Sequence, residues 1–206
     1  MIQDFSDLTG LQIDALKEVG NVGAGNAATA LATMTGARVE MSVPQVGIVP
    51  FNKVADMVGG AGNAVVGVYL MVTGSATTNM LFLLSIDKAL LLVDLLMGQP
   101  PGYHKILDEM SLSAISEVGN IITGTYLNAL ASFTGMQFVP TVPDLVVDMA
   151  GAILDSILAQ FGELGDHVLV VENKFNREEY DIIGHLFMLP EPGSLNKILT
   201  ALGVIF

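Results

Sequence analysis

Glu18-Val19-Gly20-Asn21 returns unchanged as Glu117-Val118-Gly119-Asn120, 99 residues further on (117 − 18). Without a gap, the correspondence continues through Gly25/Gly124, Ala30/Ala129, Leu31/Leu130, Ala32/Ala131, Thr35/Thr134, Gly36/Gly135, Val43/Val142 and Pro44/Pro143. Chance does not align so many positions at one offset. The chain is therefore read as two copies of one unit, and the polar pair Glu-x-x-Asn is what both copies kept. The function is placed at that pair.

Outward from the first tetrapeptide, Leu8 to Met34 reads as a long helix stopped by Gly36. Leu16, Gly23, Ala27, Ala30 and Met34 fall on one side of it at about 100° per residue, a stripe of mostly small residues suited to burial. Val39–Val43, Val65–Val72 and the continuous apolar run Met80–Leu84 read as strands, and Asp87–Met97 as a second helix. Gly98-Gln99-Pro100-Pro101-Gly102 is dense in breakers and marks the seam. The second copy repeats the plan. A helix runs from about Asp108 to Phe133, strands lie near Met136–Val139, His167–Val171 and Ile182–Leu189, and a closing helix spans about Leu195 to Leu202. An extra helix is expected between Val147 and Phe161, where the first copy has only the short Phe51–Gly60 stretch. The expectation is an α+β fold with one continuous β-sheet flanked by helices and a pseudo-twofold axis. The whole chain, 1–206, is read as one domain of two repeats, about 8–98 and 107–203.

Half the chain is apolar (51%) and mean hydropathy is +0.60, which raises the question of a membrane. No stretch reaches the roughly 18 uninterrupted apolar residues of a spanning helix. The richest, Ala89–Met97, is interrupted by Asp94 and reads as a buried helix. The acidic start, Met1–Asp7, lacks the basic and apolar regions of a signal peptide. With no cysteine there are no disulfides or thiolate metal sites, which is compatible with a reducing compartment. A cytoplasmic protein without membrane insertion is expected. A net charge of −13 with only 8 Lys and Arg argues against nucleic acid and suits a partner with an exposed basic group.

On the first helix Asp14, Glu18, Asn21, Gly25 and Ala32 form a narrow stripe, opposite Leu16, Gly23 and Met34. Ser113, Glu117, Asn120, Gly124 and Ala131 repeat it on the second. A polar trio followed by small residues makes a flat track on which another macromolecule can lie, with Gly25 and Gly124 leaving room beside each amide. No nucleophile stands beside the pair. There is no cysteine, and Ser113 is Asp14 in the other copy. His104, His167 and His185 have no repeat counterpart. A carboxamide can hold a water, accepting through oxygen and donating through nitrogen, while a carboxylate can anchor a partner's lysine. That chemistry suffices to orient water toward a phosphoryl group activated elsewhere, since phosphoryl transfer needs mainly positioning and charge stabilisation. The structural alternative is a surface pair retained through helix packing.

The pattern Asp or Ser, three residues, Glu, two residues, Asn resembles the CheC-type phosphatases of bacterial and archaeal chemotaxis, relatives of CheX and the flagellar switch protein FliY. It reads Asp14–Glu18–Asn21 and Ser113–Glu117–Asn120, and the flanking Val43-Pro44 and Pro143–Met149 segments are similar too. The resemblance covers the whole chain, and the lack of FliY-like extra segments within it points toward CheC proper. It implies a CheC-like fold, with the phospho-aspartate of the response regulator CheY as substrate. Asn21 and Asn120 would place the attacking water, and Glu18 and Glu117 would pair with the regulator's active-site lysine. Asp14, Ser113, Gly25 and Gly124 would support them. The Mg²⁺ would belong to the bound regulator, leaving no cofactor or metal for this chain. CheD, the receptor deamidase, is the second implied partner, near Asp148 and the following helix; a helix N-cap is the structural alternative for Asp148.

Other patterns are weaker. Gly23-Ala24-Gly25-Asn26-Ala27-Ala28 satisfies a dinucleotide-binding pattern, but the preceding residues read as helix where a strand is required. Gly74-Ser75-Ala76 reads as a turn, and Glu172–Asp181 as a solvated strand end and turn. The rival to the phosphatase is a non-catalytic CheY- and CheD-binding adaptor or a flagellar switch-like interaction module.

Overall fold

Two helices of 26 residues each, α1 (Gly10–Thr35) and α4 (Glu109–Thr134), carry the repeated tetrapeptides. Their ends are built alike. Within the first turn of α1, Gln12 Oε1 accepts from the Thr9 N–H at 2.8 Å, and at α4 Asp108, 99 residues after Thr9, accepts from the Ser111 N–H at 2.8 Å. Each supplies a partner for an N–H that the first turn leaves over. Gly36 and Gly135 close the helices in the left-handed conformation, at φ 65° and 68°, where a glycine pays no Cβ penalty.

This computed structural model describes residues 8–36, 39–43, 45–161, 167–177, 180–191 and 193–204. The acidic segment 1–7, Pro44, Glu178 and Glu179, all used in the sequence reading, lie outside them. After α1 come β1 (Glu40–Ser42), β2 (Val46–Pro50), a 3-10 turn (Phe51–Lys53) leading into the short α2 (Val54–Met57), β3 (Ala64–Gly74), β4 (Thr78–Ser85) and α3 (Ile86–Leu96). After α4 come β5 (Phe138–Pro140), β6 (Asp144–Met149), α5 (Ala150–Phe161), β7 (His167–Arg177), β8 (Tyr180–Pro190) and α6 (Ser194–Ala201).

The strands form one antiparallel eight-stranded sheet with β8 and β4 at its centre. The two hairpins, β3–β4 and β7–β8, meet there, with Leu81 opposite Phe187. The short strands cross over: β1 and β2 pair with β7 of the second copy, and β5 and β6 with β3 of the first. Each copy completes the other's half of the sheet, and a pseudo-twofold axis between β4 and β8 relates the halves. Alternate residues serve different cores. Met80, Phe82 and Leu84 pack with α1, α3 and α4, whereas Leu81 and Leu83 pack with α2 and α5 on the opposite face. Coverage of both faces explains why the Met80–Leu84 run is apolar throughout.

Several expectations need correction. Met34 is 43% exposed rather than buried. The packed stripe of α1 slants from Gln12 and Leu16 to Ala27 and Leu31 and leaves the last turn outside it. The segment Glu172–Arg177 is not a solvated end but the paired body of β7, with Asn173 and Phe175 fully buried. Glu172 and Lys174 alternate to the other face and are half-buried. Strands β2 and β6 were not anticipated; both are edge segments whose pairing partner lies in the other copy.

Candidate active site

The helix periodicity sorts each tetrapeptide residue by residue. Val19 and Gly20 are buried on α1, as are Val118 and Gly119 on α4. Asp14, Glu18, Asn21 and Gly25 are exposed on the opposite side, as are Ser113 and Glu117; Asn120 and Gly124 are half-buried. The central glycines explain why the tetrapeptide, and not only its polar pair, is repeated. A Cβ on Gly119 would stand 2.7 Å from Val68 Cβ of β3, and one on Gly20 would stand 3.2 Å from Val46 of β2 and 4.0 Å from Val171 of β7. Each helix lies down on the sheet at the glycine and turns its Glu and Asn to the surface.

Val19 clusters with Ala129 and Leu130, whereas a Cβ on Gly23, one turn later, would meet the Tyr126 ring at 2.9 Å. As one number rises the other falls, so the helices run antiparallel. The stripes stand toward opposite ends of the pair, the two asparagines roughly 12 Å apart along the axis at 1.5 Å per residue. They are two separate sites. Neither gathers a third group: the histidines remain distant, with His185 on β8, His167 on β7 and His104 in the loop before α4. No group of three His, Cys, Asp or Glu among the described residues is placed to hold a metal ion.

Among the described residues, no hydrogen bond or ion pair engages the side chains of Glu18, Asn21, Glu117 or Asn120. The structural asparagines differ. Asn79 Oδ1 accepts from Tyr69 Oη at 2.7 Å, Asn173 Oδ1 from Tyr126 Oη at 2.9 Å, and Asn63 Nδ2 donates to the Val58 carbonyl. The motif residues are polar groups with no internal task, on a surface open to a partner. Lys17 was missed by the sequence reading although its i,i+3 spacing to Asp14 is visible there. Its Nζ lies 3.7 Å from Asp14 Oδ1.

The seam is organised by Asp94, fully buried near the end of α3. Its carboxylate accepts from the N–H groups of Gly102 (2.6 Å), Tyr103 (3.1 Å) and His104 (3.0 Å), with His104 Nδ1 at 2.6 Å. Burial opposes its ionisation, but these hydrogen bonds outweigh it and hold the carboxyl below its ordinary range. This knot fixes the chain just ahead of α4. On the far face of the sheet, a cleft of about 420 Å³ is lined by Asn63, Asp87, Lys88, Glu172 and His185. Burial pushes the His185 imidazole down to about 4.

Asp148 is exposed and opposite Val65 as the penultimate residue of β6. Its Oδ1 accepts from the Met149 N–H at 2.7 Å. Helix α5 begins at Ala150, so Asp148 stands two residues ahead of it, one too early for the N-cap alternative.

The CheC-like family profile matches residues 11–48 and 110–147, one segment per copy. The chain is 36% identical over 203 residues to the CheY-P phosphatase CheC of Bacillus subtilis (strain 168), covering 97% of both proteins. It is 28% identical over 131 residues to the flagellar motor switch phosphatase FliY of the same organism, 64% of this chain but 34% of that protein. In three dimensions it is similar to the crystal structure of Thermotoga maritima FliY, with a TM-score of 0.74 at 23% identity, covering 96% of this chain and 98% of that one. No described helix is long and apolar enough to cross a membrane.

Proposed function

The chain belongs to the CheC-like family, and on that premise we propose that it hydrolyses the phospho-aspartate of the response regulator CheY at the two α-helical stripes. The observation that carries the assignment is the idle state of Glu18, Asn21, Glu117 and Asn120 on repeat-equivalent surfaces. A residue kept for packing is engaged within the molecule, and these are not.

The regulator docks with its active-site lysine against Glu18 or Glu117, which sets the orientation. The Asn21 or Asn120 carboxamide enters beside the acyl phosphate. Its Oδ1 accepts a hydrogen bond from a water and its Nδ2 donates, holding the water in line with the P–O bond to the aspartyl oxygen. Attack forms the new P–O bond as that bond breaks, releasing inorganic phosphate and the free aspartate. The regulator would hold the Mg²⁺, which would supply charge neutralisation there, while this chain's Glu and Asn supply geometry. The reaction runs in the cytoplasm, where the regulator is phosphorylated. CheD binds at Asp148 and the start of α5, where Val147 and Met149 are also exposed, at 47% and 52%. Capture of CheD by wild type and its loss in Asp148→Arg would support that contact; equal capture by both would remove it.

The deciding experiment follows the decay of phosphorylated CheY with wild type, Asn21→Ala, Asn120→Ala and the double variant. Wild type accelerates decay, each single variant keeps one working site, and the double variant decays at the regulator's own rate while still binding it. If the double variant remains as fast as wild type, the asparagines are not catalytic; if wild type itself leaves decay unchanged, alone and with CheD, the chain acts as a binding module.

A further inference from the structure

Leu11 and Met110 are repeat equivalents, 99 residues apart (110 − 11). Both project from the first turn of their long helices, 57% and 67% exposed. Behind each runs the same apolar row: Ala15 and Val22 on α1, Ala114 and Ile121 on α4. At about 100° per residue these rows lie directly beside the Glu-x-x-Asn stripes, between them and the buried face. Ala15, Ala114 and Ile121 are half-buried, as residues at such a border are. Leu11 and Met110 are not, although Gln12 and Ser111, their immediate neighbours, are buried.

A single exposed leucine needs no explanation. The same exposed apolar position in both copies does, because the copies have diverged around it: Asp14 against Ser113, Lys17 against Ser116. The polar stripe also lacks a source of affinity. One exposed Glu–Lys pair changes a binding constant by less than about fivefold, and a water-holding amide adds little before the transition state. Protein–protein interfaces draw their strength from a few desolvated anchors.

We propose that Leu11 and Met110 are the apolar anchors by which the phosphorylated regulator docks on each stripe. The occupant is a protein surface that presents an apolar patch about two helical turns, roughly 10 Å, from its lysine and about three turns, roughly 15 Å, from its phospho-aspartate. The inference rests on the reading of the stripes as the regulator's docking face. Leu11 and Met110 are specificity and positioning residues; they do not touch the reacting atoms.

The test uses the full chain with Leu11→Ser, Met110→Ser and both together, and Leu158→Ser as a control. Leu158 is 36% exposed on α5, on the other side of the sheet. Two quantities are read: KM and kcat for decay of the phosphorylated regulator, and affinity for the regulator loaded with beryllium trifluoride as a phosphoryl mimic. The double variant raises KM and weakens mimic binding about tenfold, with kcat within twofold of wild type and an unchanged unfolding midpoint. Leu158→Ser changes neither. Wild-type KM and mimic affinity in the double variant would overturn the proposal, as would a fall in kcat alone. If wild type binds the mimic without accelerating decay, and the double variant loses binding, docking stands and the hydrolysis reading falls. If wild type does not bind the mimic, both fall.

Discussion

Lys17 Nζ lies 3.7 Å from Asp14 Oδ1 on the exposed face of α1, and 99 residues on the same two positions are Ser116 and Ser113. The copies differ by a whole ion pair, not by one charge. Each stripe therefore keeps a single uncompensated carboxylate, Glu18 in one and Glu117 in the other. The Asp-to-Ser difference does not by itself make the sites electrostatically unequal.

That compensation can be broken. In an Asn120→Ala background, which leaves only the first site working, Lys17→Ser exposes Asp14 to the incoming regulator. At low salt, kcat/KM rises two- to threefold and its salt dependence steepens, because rim charges act mainly on association. Adding Asp14→Ser restores the wild-type slope. An unchanged slope in Lys17→Ser would mean that Asp14 does not face the partner.

The tetrapeptide glycines are predicted to differ in tolerance. In Gly119→Ala the new methyl meets Val68 Cβ and Cγ1 at 2.7 Å, atoms fixed to the backbone of β3. Overpacking of that kind costs about 1–3 kcal/mol, and the second site is displaced with it. Gly20→Ala is tight only against Val46 Cγ2 at 3.2 Å, its other neighbours lying at 3.9 Å or more, and the gain of about 1 kcal/mol in helix propensity roughly cancels the strain. Denaturant midpoints of the two variants decide this; equal midpoints would show that β3 yields.

Gly25 and Gly124 separate stability from docking. A Cβ at either has open space around it. Gly25→Ala and Gly124→Ala raise the unfolding midpoint by helix propensity, about 1 kcal/mol each. Gly25→Leu with Gly124→Leu keeps the fold but closes the track beside both amides, and regulator decay returns to its own rate. Full activity in the double leucine variant would show that the partner does not approach along these positions.

Acid stability carries two proton linkages of the same sign, both lost as pH falls but over different windows. Asp94 has a folded pKa below its unfolded one, so its contribution is present above the unfolded value and is lost as pH falls through the folded value. His185 is buried neutral with a folded value of about 4. The unfolded chain binds a proton there first, near 6.5, so stability is complete above that pH and declines by about 3 kcal/mol as pH falls toward 4. His185→Gln flattens the stability curve over that window, whereas Asp94→Asn lowers stability at neutral pH by weakening the seam and flattens the curve only below the window. Unfolding midpoints from pH 7 to pH 3 separate them.

The long helices, their boundaries and the faces of both stripes were legible because each rests on local information. The periodicity of Glu18, Asn21 and Gly25, and the stops at Gly36 and Gly135, are written within a few turns of chain. Repetition at one offset turned a common Glu-x-x-Asn into a specific signal, and family membership follows from the same residues. Only the tertiary structure decided how the copies interlock. The pairing of Val65 with Asp148, or of Glu40 with Asn176, joins segments far apart in sequence whose short edge strands carry little pattern of their own. Nor could Asp94 be recognised as the pin of the seam, since its partners are backbone N–H groups that any residue type provides. Helical order is set by neighbours within four residues, and sheet order by partners that only folding brings together.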